Sequence, residues 1–175
     1  MDQENREYAG FWIRVGATFI DFFVLLIPIV IYWMFLFYWK NLGLVLVVYI
    51  LITLYKPFME YKYGATVGKM VLGLKVFSSE LEKLSVKQTL VRANPWLVQS
   101  ALGIYIYVAL MTHPSFESAE GFMEIAQLQE QITPSLLQVV FSLYFAICVI
   151  TVAFNKNKQG GHDLMANTVC LNEST

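Results

Sequence analysis

Charged side chains lie within or beside long apolar stretches of this sequence. In the first stretch Arg14, Thr18 and Asp21 are spaced i, i+4 and i+7, which places them on one face of a helix. Arg14 can extend towards an interface, whereas Asp21 is too short to do so. A charge at the bilayer centre costs about 2.5–3.5 kcal/mol, so Asp21 must be protonated, pair with a cation or face water. Arg14 lies about 10 Å along the helix axis from Asp21, so we expect the partner of Asp21 to come from another element.

Polar residues recur at helical spacing in the later apolar stretches. The second stretch carries Tyr49, Thr53, Lys56 and Glu60, the third carries Arg92, Pro95, Gln99 and Gly103, and the fourth carries Gln138 and Ser142. Pro57 cannot donate a hydrogen bond and frees the Thr53 carbonyl, as happens where a span lines a polar cavity. We expect these polar faces to point at one another.

Two roles remain open for these polar residues. For Thr18, Gln99, Gln138 and Ser142 we expect hydrogen bonds between helices, which are common in membrane bundles. For Arg14 and Asp21 both an ion pathway and a structural ion pair are consistent with the sequence, because charges within membranes serve either purpose. The candidate charge cluster consists of Arg14, Asp21, Lys56, Glu60, Arg92 and Asp163.

The sequence carries no motif that predicts an enzyme. The run from Gly64 to Met70 resembles a phosphate loop, but its glycine spacing is short and Met70 replaces the required serine or threonine. His113 and His162 fall on opposite sides of the membrane in the topology described below, so they cannot share a metal. We therefore predict no catalytic residues, no cofactor and no metal site apart from a monovalent cation at Asp21.

The composition predicts a membrane protein. Hydrophobic residues make up 57% of the 175 residues and charged residues only 14%, whereas soluble domains carry about 25% charged residues. The large apolar surface that this implies must lie against lipid, and the lipid bilayer is the first expected partner. No basic block suggests binding to nucleic acid.

Four stretches qualify as transmembrane helices, which need about 20 mostly apolar residues, and the second is near the short end. They cover about 11–39, 42–59, 93–112 and 134–154, and the second is interrupted by Lys56 and Pro57. We predict an all-α membrane protein, a single domain over 1–175 that forms a bundle of four transmembrane helices. A connector separates the second helix from the third.

The distribution of lysine and arginine predicts the orientation. Basic residues cluster in three segments, namely the N-terminus with Arg6, the connector with Lys62, Lys69, Lys75, Lys83 and Lys87, and the tail with Lys156 and Lys158. On the other side Lys40 stands alone, and the loop 113–133 contains four glutamates but no basic residue. This asymmetry places both termini, the connector and the tail 155–175 in the cytoplasm, and the acidic loop outside.

Short patterns predict local structure between the spans. The segment from Tyr63 to Phe77 is rich in glycine and β-branched residues and suggests an extended or re-entrant interfacial element. Ser85 followed by Gln88 matches a capping box, which predicts a helix start. Within the acidic loop, the segment from Glu124 to Gln131 has the pattern of a short amphipathic helix.

Three longer motifs are present, namely Tyr8-Ala-Gly-Phe-Trp-Ile-Arg14-Val-Gly-Ala-Thr-Phe-Ile-Asp21, Thr66-Val-Gly68-Lys69-Met-Val-Leu-Gly73-Leu-Lys75-Val76 and Gly161-His-Asp163-Leu-Met-Ala-Asn-Thr168-Val. Together and in this order they resemble the motifs of the RDD family of bacterial membrane proteins. The arginine and two aspartates of the family name map onto Arg14, Asp21 and Asp163. The long acidic loop departs from the family pattern, and Asn167 stands where a small residue is expected.

The resemblance implies a bacterial inner membrane location but several activities. Some members are associated with cation/proton antiport and others with accessory or inhibitory roles towards membrane partners. The sequence is consistent with an accessory partner of another membrane protein, with an antiporter that uses Asp21 and needs a homo-oligomer, and with lipid or quinone handling. We further expect Asp163 to pair with Arg14, which would leave Asp21 as the more isolated group.

Overall fold

A computed structural model describes residues 7–173, so Arg6 lies outside the described residues. Of these described residues, 71% are helical. In order, its elements are α1 (Phe11–Phe37), α2 (Leu42–Tyr63), α3 (Val67–Val71), β1 (Leu74–Ser78), α4 (Val86–Met111), α5 (Gly121–Ile132), α6 (Ser135–Phe154), α7 (Gly161–Ala166) and β2 (Thr168–Asn172).

Within residues 7–173, three helices are long and apolar enough to cross a membrane, namely α1, α2 and α6. They coincide with the first, second and fourth predicted spans. The third predicted span lies on α4, which is long but does not meet the same criterion of hydropathy. Polar residues such as Asn94, Gln99 and Ser100 lower the mean hydropathy of its central part.

The helix boundaries follow local capping chemistry. Asn41 caps α2, since its Oδ1 accepts a hydrogen bond from the Leu44 amide at 3.0 Å. α2 continues through Lys56 and Pro57, beyond the predicted end at residue 59, until Gly64 stops it in a left-handed conformation with φ 76°. The predicted capping box of Ser85 and Gln88 is confirmed at the start of α4.

The helices pack with α1 and α4 against α2, and α6 against α4. The strand end, as it is called below, is the end of the molecule at which α1 and α4 begin and α2 and α6 end. The two strands also lie there. At the opposite end, called the loop end, α5 covers a core formed by Tyr32, Leu36, Val45, Leu110, Phe116, Ala119, Ile125 and Leu128. α5 confirms the helix predicted in the acidic loop.

The expectation of an all-α fold is wrong at the strand end. β1 and β2 form a two-stranded antiparallel sheet, with Val76 opposite Cys170. The connector that we expected to be extended or re-entrant consists of the short helix α3 followed by β1. Its partner strand β2 follows only after α4, α5, α6 and α7. Local sequence patterns do not predict strand pairing over so long a separation.

Lys40 fixes the acidic loop to the loop end. Its Nζ donates to the carbonyl oxygens of Phe116, Glu117 and Ala119 at 3.1, 2.7 and 3.0 Å. The ammonium also lies 5.5 Å from the centre of the Phe116 ring. The basic residue that stands alone on this side in the sequence therefore satisfies three backbone carbonyls at once.

The expectation that all polar faces meet inside the bundle is wrong for three residues. Thr18, Gln138 and Ser142 are exposed rather than placed between helices. The Thr18 hydroxyl donates to the Arg14 carbonyl of its own helix at 3.0 Å. Gln99 is half-buried, and its Oε1 has no hydrogen-bond partner among residues 7–173. Helical spacing gave the angle of these side chains but not the neighbour that would cover them.

The Thr53 carbonyl, which Pro57 leaves without an amide donor in α2, accepts a hydrogen bond from another helix. Trp96 in α4 donates its indole N–H to the Thr53 carbonyl at 3.0 Å, which joins the middle of α2 to α4. Next to this contact, Tyr49 packs against Gly103, where an added Cβ would lie 2.1 Å from the Tyr49 hydroxyl. The freed carbonyl therefore serves as an interhelical contact.

We expect Trp96→Phe to lower the free energy of unfolding by about 1–3 kcal/mol, because the Thr53 carbonyl loses its donor. Pro57→Ala restores an amide that can donate to this carbonyl within α2. Trp96→Phe should therefore cost less in a Pro57→Ala background, as measured by unfolding in mixed micelles. Equal costs in both backgrounds would contradict the assignment of this hydrogen bond.

Candidate functional site

Five charged residues from five segments meet at the strand end. They are Arg14 of α1, Glu60 of α2, Lys69 of α3, Arg92 of α4 and Asp163 of α7, and together they are called the charge network below. Glu60, Lys69, Arg92 and Asp163 are buried, and the Arg14 side chain is only 12% exposed. The contacts between them are direct ion pairs.

Asp163 joins the first helix to α4. Arg14 Nη1 donates to its Oδ2 at 2.6 Å, and Arg92 Nη1 donates to its Oδ1. The Gly160 amide adds a third hydrogen bond, to Oδ2 at 3.0 Å. Asp163 also lies in the first turn of α7, where a negative charge is favoured. The predicted pair of Arg14 with Asp163 is confirmed.

Glu60 forms the second centre of the charge network. Arg92 Nε donates to its Oε2 at 2.9 Å, and Lys69 Nζ donates to its Oε1. Arg92 therefore bridges both buried carboxylates, and its Nη1 also donates to the Thr168 hydroxyl at 3.0 Å. Through this one guanidinium α2, α4, α7 and β2 are connected.

Arg14 binds two further backbone segments. Its Nε donates to the Ala9 carbonyl at 3.0 Å and its Nη2 to the Lys158 carbonyl at 2.7 Å. The segment before α1 and the segment between α6 and α7 are thus held by the same side chain. A fork of guanidinium donors suits this task, because it can bind several acceptors in fixed directions.

Lys56 lies beside the charge network without joining it directly. It is half-buried on α2, one turn before Glu60, and forms no ion pair within 4.0 Å among residues 7–173. The carboxylates of Glu60 and Asp21 attract the charge of Lys56, whereas the cations of Lys69 and Arg92 repel it. Lys56 therefore adds a positive charge between the charge network and Asp21.

Asp21 occupies a separate site and is not isolated, contrary to the expectation. Tyr55 donates its hydroxyl to Oδ1 at 2.8 Å, Thr66 donates to Oδ2 at 2.6 Å, and the Gly68 amide donates to Oδ1 at 2.7 Å. These donors are neutral. They attach the start of α3 to α1 and α2 through a carboxylate that belongs to α1.

The contact between α3 and α1 requires glycine at position 68. A Cβ on Gly68 would lie 2.0 Å from the Ala17 carbonyl oxygen and 2.9 Å from Asp21 Cγ. The Tyr55 hydroxyl also accepts a hydrogen bond from the Val67 amide at 3.1 Å. It therefore links Asp21 to the residue just before Gly68. Close backbone approach and the hydrogen bonds to Asp21 therefore depend on each other.

His162 lies next to Asp163 but remains neutral. Its Nε2 is 3.4 Å from Asp163 Oδ1. Burial, followed by the positive charges of Arg92, Lys56 and Lys69, lowers the pKa of His162 from 6.5 to about 2. Because the two arginines already neutralise the adjacent carboxylate, His162 gains little from a charge of its own.

The sequence identified part of this site. Arg14, Glu60, Arg92 and Asp163 were all candidates, and the structure brings them into contact; Lys56 is adjacent, and Asp21 binds elsewhere. Lys69, Tyr55, Thr66 and Thr168 were missed as partners. Thr66 and Lys69 lie in the central motif and Thr168 in the last one, so the motifs were the available signal, whereas Tyr55 had none.

Every carboxylate of the site accepts hydrogen bonds from other segments of the chain. Both network carboxylates accept from cationic donors, and Asp21 accepts from three neutral donors. Within residues 7–173, no group of three or more histidine, cysteine, aspartate or glutamate residues is placed to hold a metal ion.

A comparison with protein-family models matches residues 8–167 to the RDD family. No curated protein and no solved structure matches the chain. The family match covers the first two sequence motifs completely and the third as far as Asn167, and it includes every residue of the charge network.

We expect Asp163→Asn to lower the free energy of unfolding by about 3–5 kcal/mol, because it leaves two buried arginines without their shared carboxylate. Glu173→Gln is the matched control, since Glu173 pairs with Lys75 at 3.1 Å but is 51% exposed. The control should change stability by about 0–1 kcal/mol. Both are measured by unfolding in mixed micelles, and a small effect of Asp163→Asn would contradict the central role of this residue.

A second prediction concerns the free energy of unfolding at low pH. The folded chain keeps His162 neutral, whereas the unfolded chain protonates it near its ordinary pKa of 6.5. The contribution of His162 to stability is therefore retained above that pH and lost progressively as the pH falls towards 2. Between pH 6.5 and 5.5 the loss should be about 1 kcal/mol.

His162→Gln should flatten this pH dependence, while His113→Gln at the loop end should leave it intact. Unfolding free energies across the same pH range provide the measurement. A slope that persists in His162→Gln would assign the acid sensitivity to another group.

Proposed function

This chain belongs to the RDD family, and from that membership we propose that it is a multi-pass membrane protein that acts as an accessory or regulatory partner of other membrane proteins. It carries out no catalysis in this proposal. The carrying observation is the charge network: each of its three cations and two carboxylates contacts a residue of opposite charge, and these contacts join five segments of the chain.

The proposal includes four membrane spans. α4 has 26 residues and is about 39 Å long, which exceeds a hydrocarbon core of about 30 Å. It packs between α2 and α6, so its polar residues lie partly against protein. The four spans are α1, α2, α4 and α6.

The proposed orientation places the strand end in the cytoplasm of a bacterial cell, at the inner membrane. The connector and the tail carry most of the lysines and lie at the strand end, whereas Lys40 and the acidic loop lie at the loop end. Positive residues are retained on the cytoplasmic side, which supports both termini inside. The charge network then lies at the cytoplasmic interface.

The accessory role is supported by what the outer surfaces offer. α1 exposes Phe19, Phe23 and Ile27, the last 72% exposed, and these faces lie against lipid or another membrane helix. The loop end adds the acidic surface of α5. A rigid strand end, held by buried ion pairs, would keep these surfaces in a fixed arrangement for a partner.

One observation favours a second candidate, monovalent cation/proton antiport. Asp21 is half-buried and has no cationic partner within 4.0 Å in the described part of the chain, and Lys56 lies close enough to influence it. A cation would have to displace the hydroxyl donors of Tyr55 or Thr66 from the carboxylate. In that reading Asp21 is the group that titrates.

Flux through reconstituted vesicles distinguishes the two candidates. We expect no cation-dependent proton flux, measured with an enclosed pH dye, from either the native chain or Asp21→Asn. Thr18→Val, which alters an exposed polar residue one turn from Asp21, is the matched control. A cation-dependent flux that Asp21→Asn abolishes and Thr18→Val retains would replace the accessory role with antiport.

The accessory role itself requires a partner. Photo-crosslinking residues at Ile27 on α1 and at Glu124 on α5 should give one defined adduct in native membranes. Adducts that contain only this chain or only lipid at both positions would contradict the accessory role.

A further inference from the structure

The outer half of α6 lacks the packing that the other helices have. None of the residues from Leu136 to Val140 is buried, and the buried residues of α6 are Cys148 and Val152, in the half nearest the strand end. The helix contacts α4, α7 and α1, and its fully buried positions lie in the inner half, whereas the turn from Leu136 to Val140 is exposed on all sides.

Two polar side chains lie on this uncovered half. Gln138 and Ser142 are exposed, and neither side chain has a hydrogen-bond partner among residues 7–173. Thr18, which is also exposed on a span, differs because its hydroxyl donates within its own helix at 3.0 Å. In the hydrocarbon region an amide needs a partner, since lipid supplies none.

Both residues lie below the outer boundary of the hydrocarbon core when α6 spans the membrane. α6 has 20 residues and is about 30 Å long, the thickness of the hydrocarbon core. Ser142 lies seven positions after Ser135, which is roughly 10 Å below the outer boundary at about 1.5 Å per residue. Gln138 lies about one turn inside that boundary. At that depth headgroups do not reach Ser142, so its hydroxyl can bond only to its own helix or to another protein segment.

We propose that the uncovered face of α6 binds α6 of a second copy of this chain. The exposed Gln138 and Ser142 and the half-buried Ala146 are spaced i, i+4 and i+8 on one face. Ser142 and Ala146 are small enough to let two helix backbones approach. The Gln138 amide carries both donors and an acceptor, so two copies of it satisfy each other across a two-fold axis.

Two copies in one membrane have the same orientation, so their α6 helices run parallel. Each residue near the axis then meets its own counterpart, which places Gln138 beside Gln138 of the second copy. This inference rests on the proposed function only in that α6 crosses the bilayer. It leaves α1 and α5 free for a different partner.

Oxidative cross-linking in native membranes tests the arrangement. Gln138→Cys should form a covalent dimer, because a disulfide needs Cα atoms within about 7 Å. Val140→Cys is the matched control; Val140 is 49% exposed but lies about 200° around the helix from position 138. Cys148 and Cys170 are buried, so the native chain serves as the blank.

We expect the yield of dimer from Gln138→Cys to exceed that from Val140→Cys by about tenfold or more, since only position 138 faces its counterpart. Equal yields, no dimer from Gln138→Cys, or an adduct with a different protein would overturn the assignment to a second copy. The adducts at Ile27 and Glu124 test the accessory role separately, so either proposal can fail alone.

Association in liposomes gives a second measurement without new cysteines. Gln138→Leu should raise the protein-to-lipid ratio at half-maximal energy transfer between labelled copies by about tenfold, as expected when interhelical hydrogen bonds are lost. Val140→Leu should leave the ratio unchanged. An unchanged ratio in Gln138→Leu would overturn the role of the amide.

Discussion

The carboxylate of Asp163 is the contact on which the strand end depends. It is fully buried, and it accepts hydrogen bonds from both Arg14 of the first helix and Arg92 of α4. A buried charge is tolerated only when its partners are in place, and removing one partner leaves the others uncompensated. The first helix, α4 and the tail must therefore assemble together, even though they are far apart in the chain.

Polar contacts take this role because of the solvent. Between helices in a bilayer, burial of apolar surface gives little preference for one neighbour, since lipid tails are as apolar as leucine. Ion pairs and hydrogen bonds do give a preference, because the unpaired alternative is costly. Arg92 selects Glu60 and Asp163, Trp96 selects the freed Thr53 carbonyl, and Asp21 selects the start of α3.

The same reasoning separates the two halves of the molecule. At the strand end, charged residues from α1, α2, α3, α4 and α7 are satisfied internally, and the network holds the two strands and short helices against the spans. Along α6, by contrast, Gln138 and Ser142 remain uncovered. This contrast between a strand end joined by ion pairs and a span with uncovered polar groups is what supports the proposed contact of α6 with other membrane-embedded protein.

The sequence by itself determined the long apolar helices, the capping box at Ser85, the freed carbonyl at Thr53 and the pair of Arg14 with Asp163. Composition, local spacing and the three motifs contain that information, because each depends on neighbours within a few turns or on a recognisable segment. Only the tertiary structure decided that β1 pairs with β2, that Lys69 binds Glu60, that Tyr55 and Thr66 surround Asp21, and that Gln138 is exposed. Helical spacing fixes the direction of a side chain, but which group lies in that direction depends on segments brought together from distant parts of the chain.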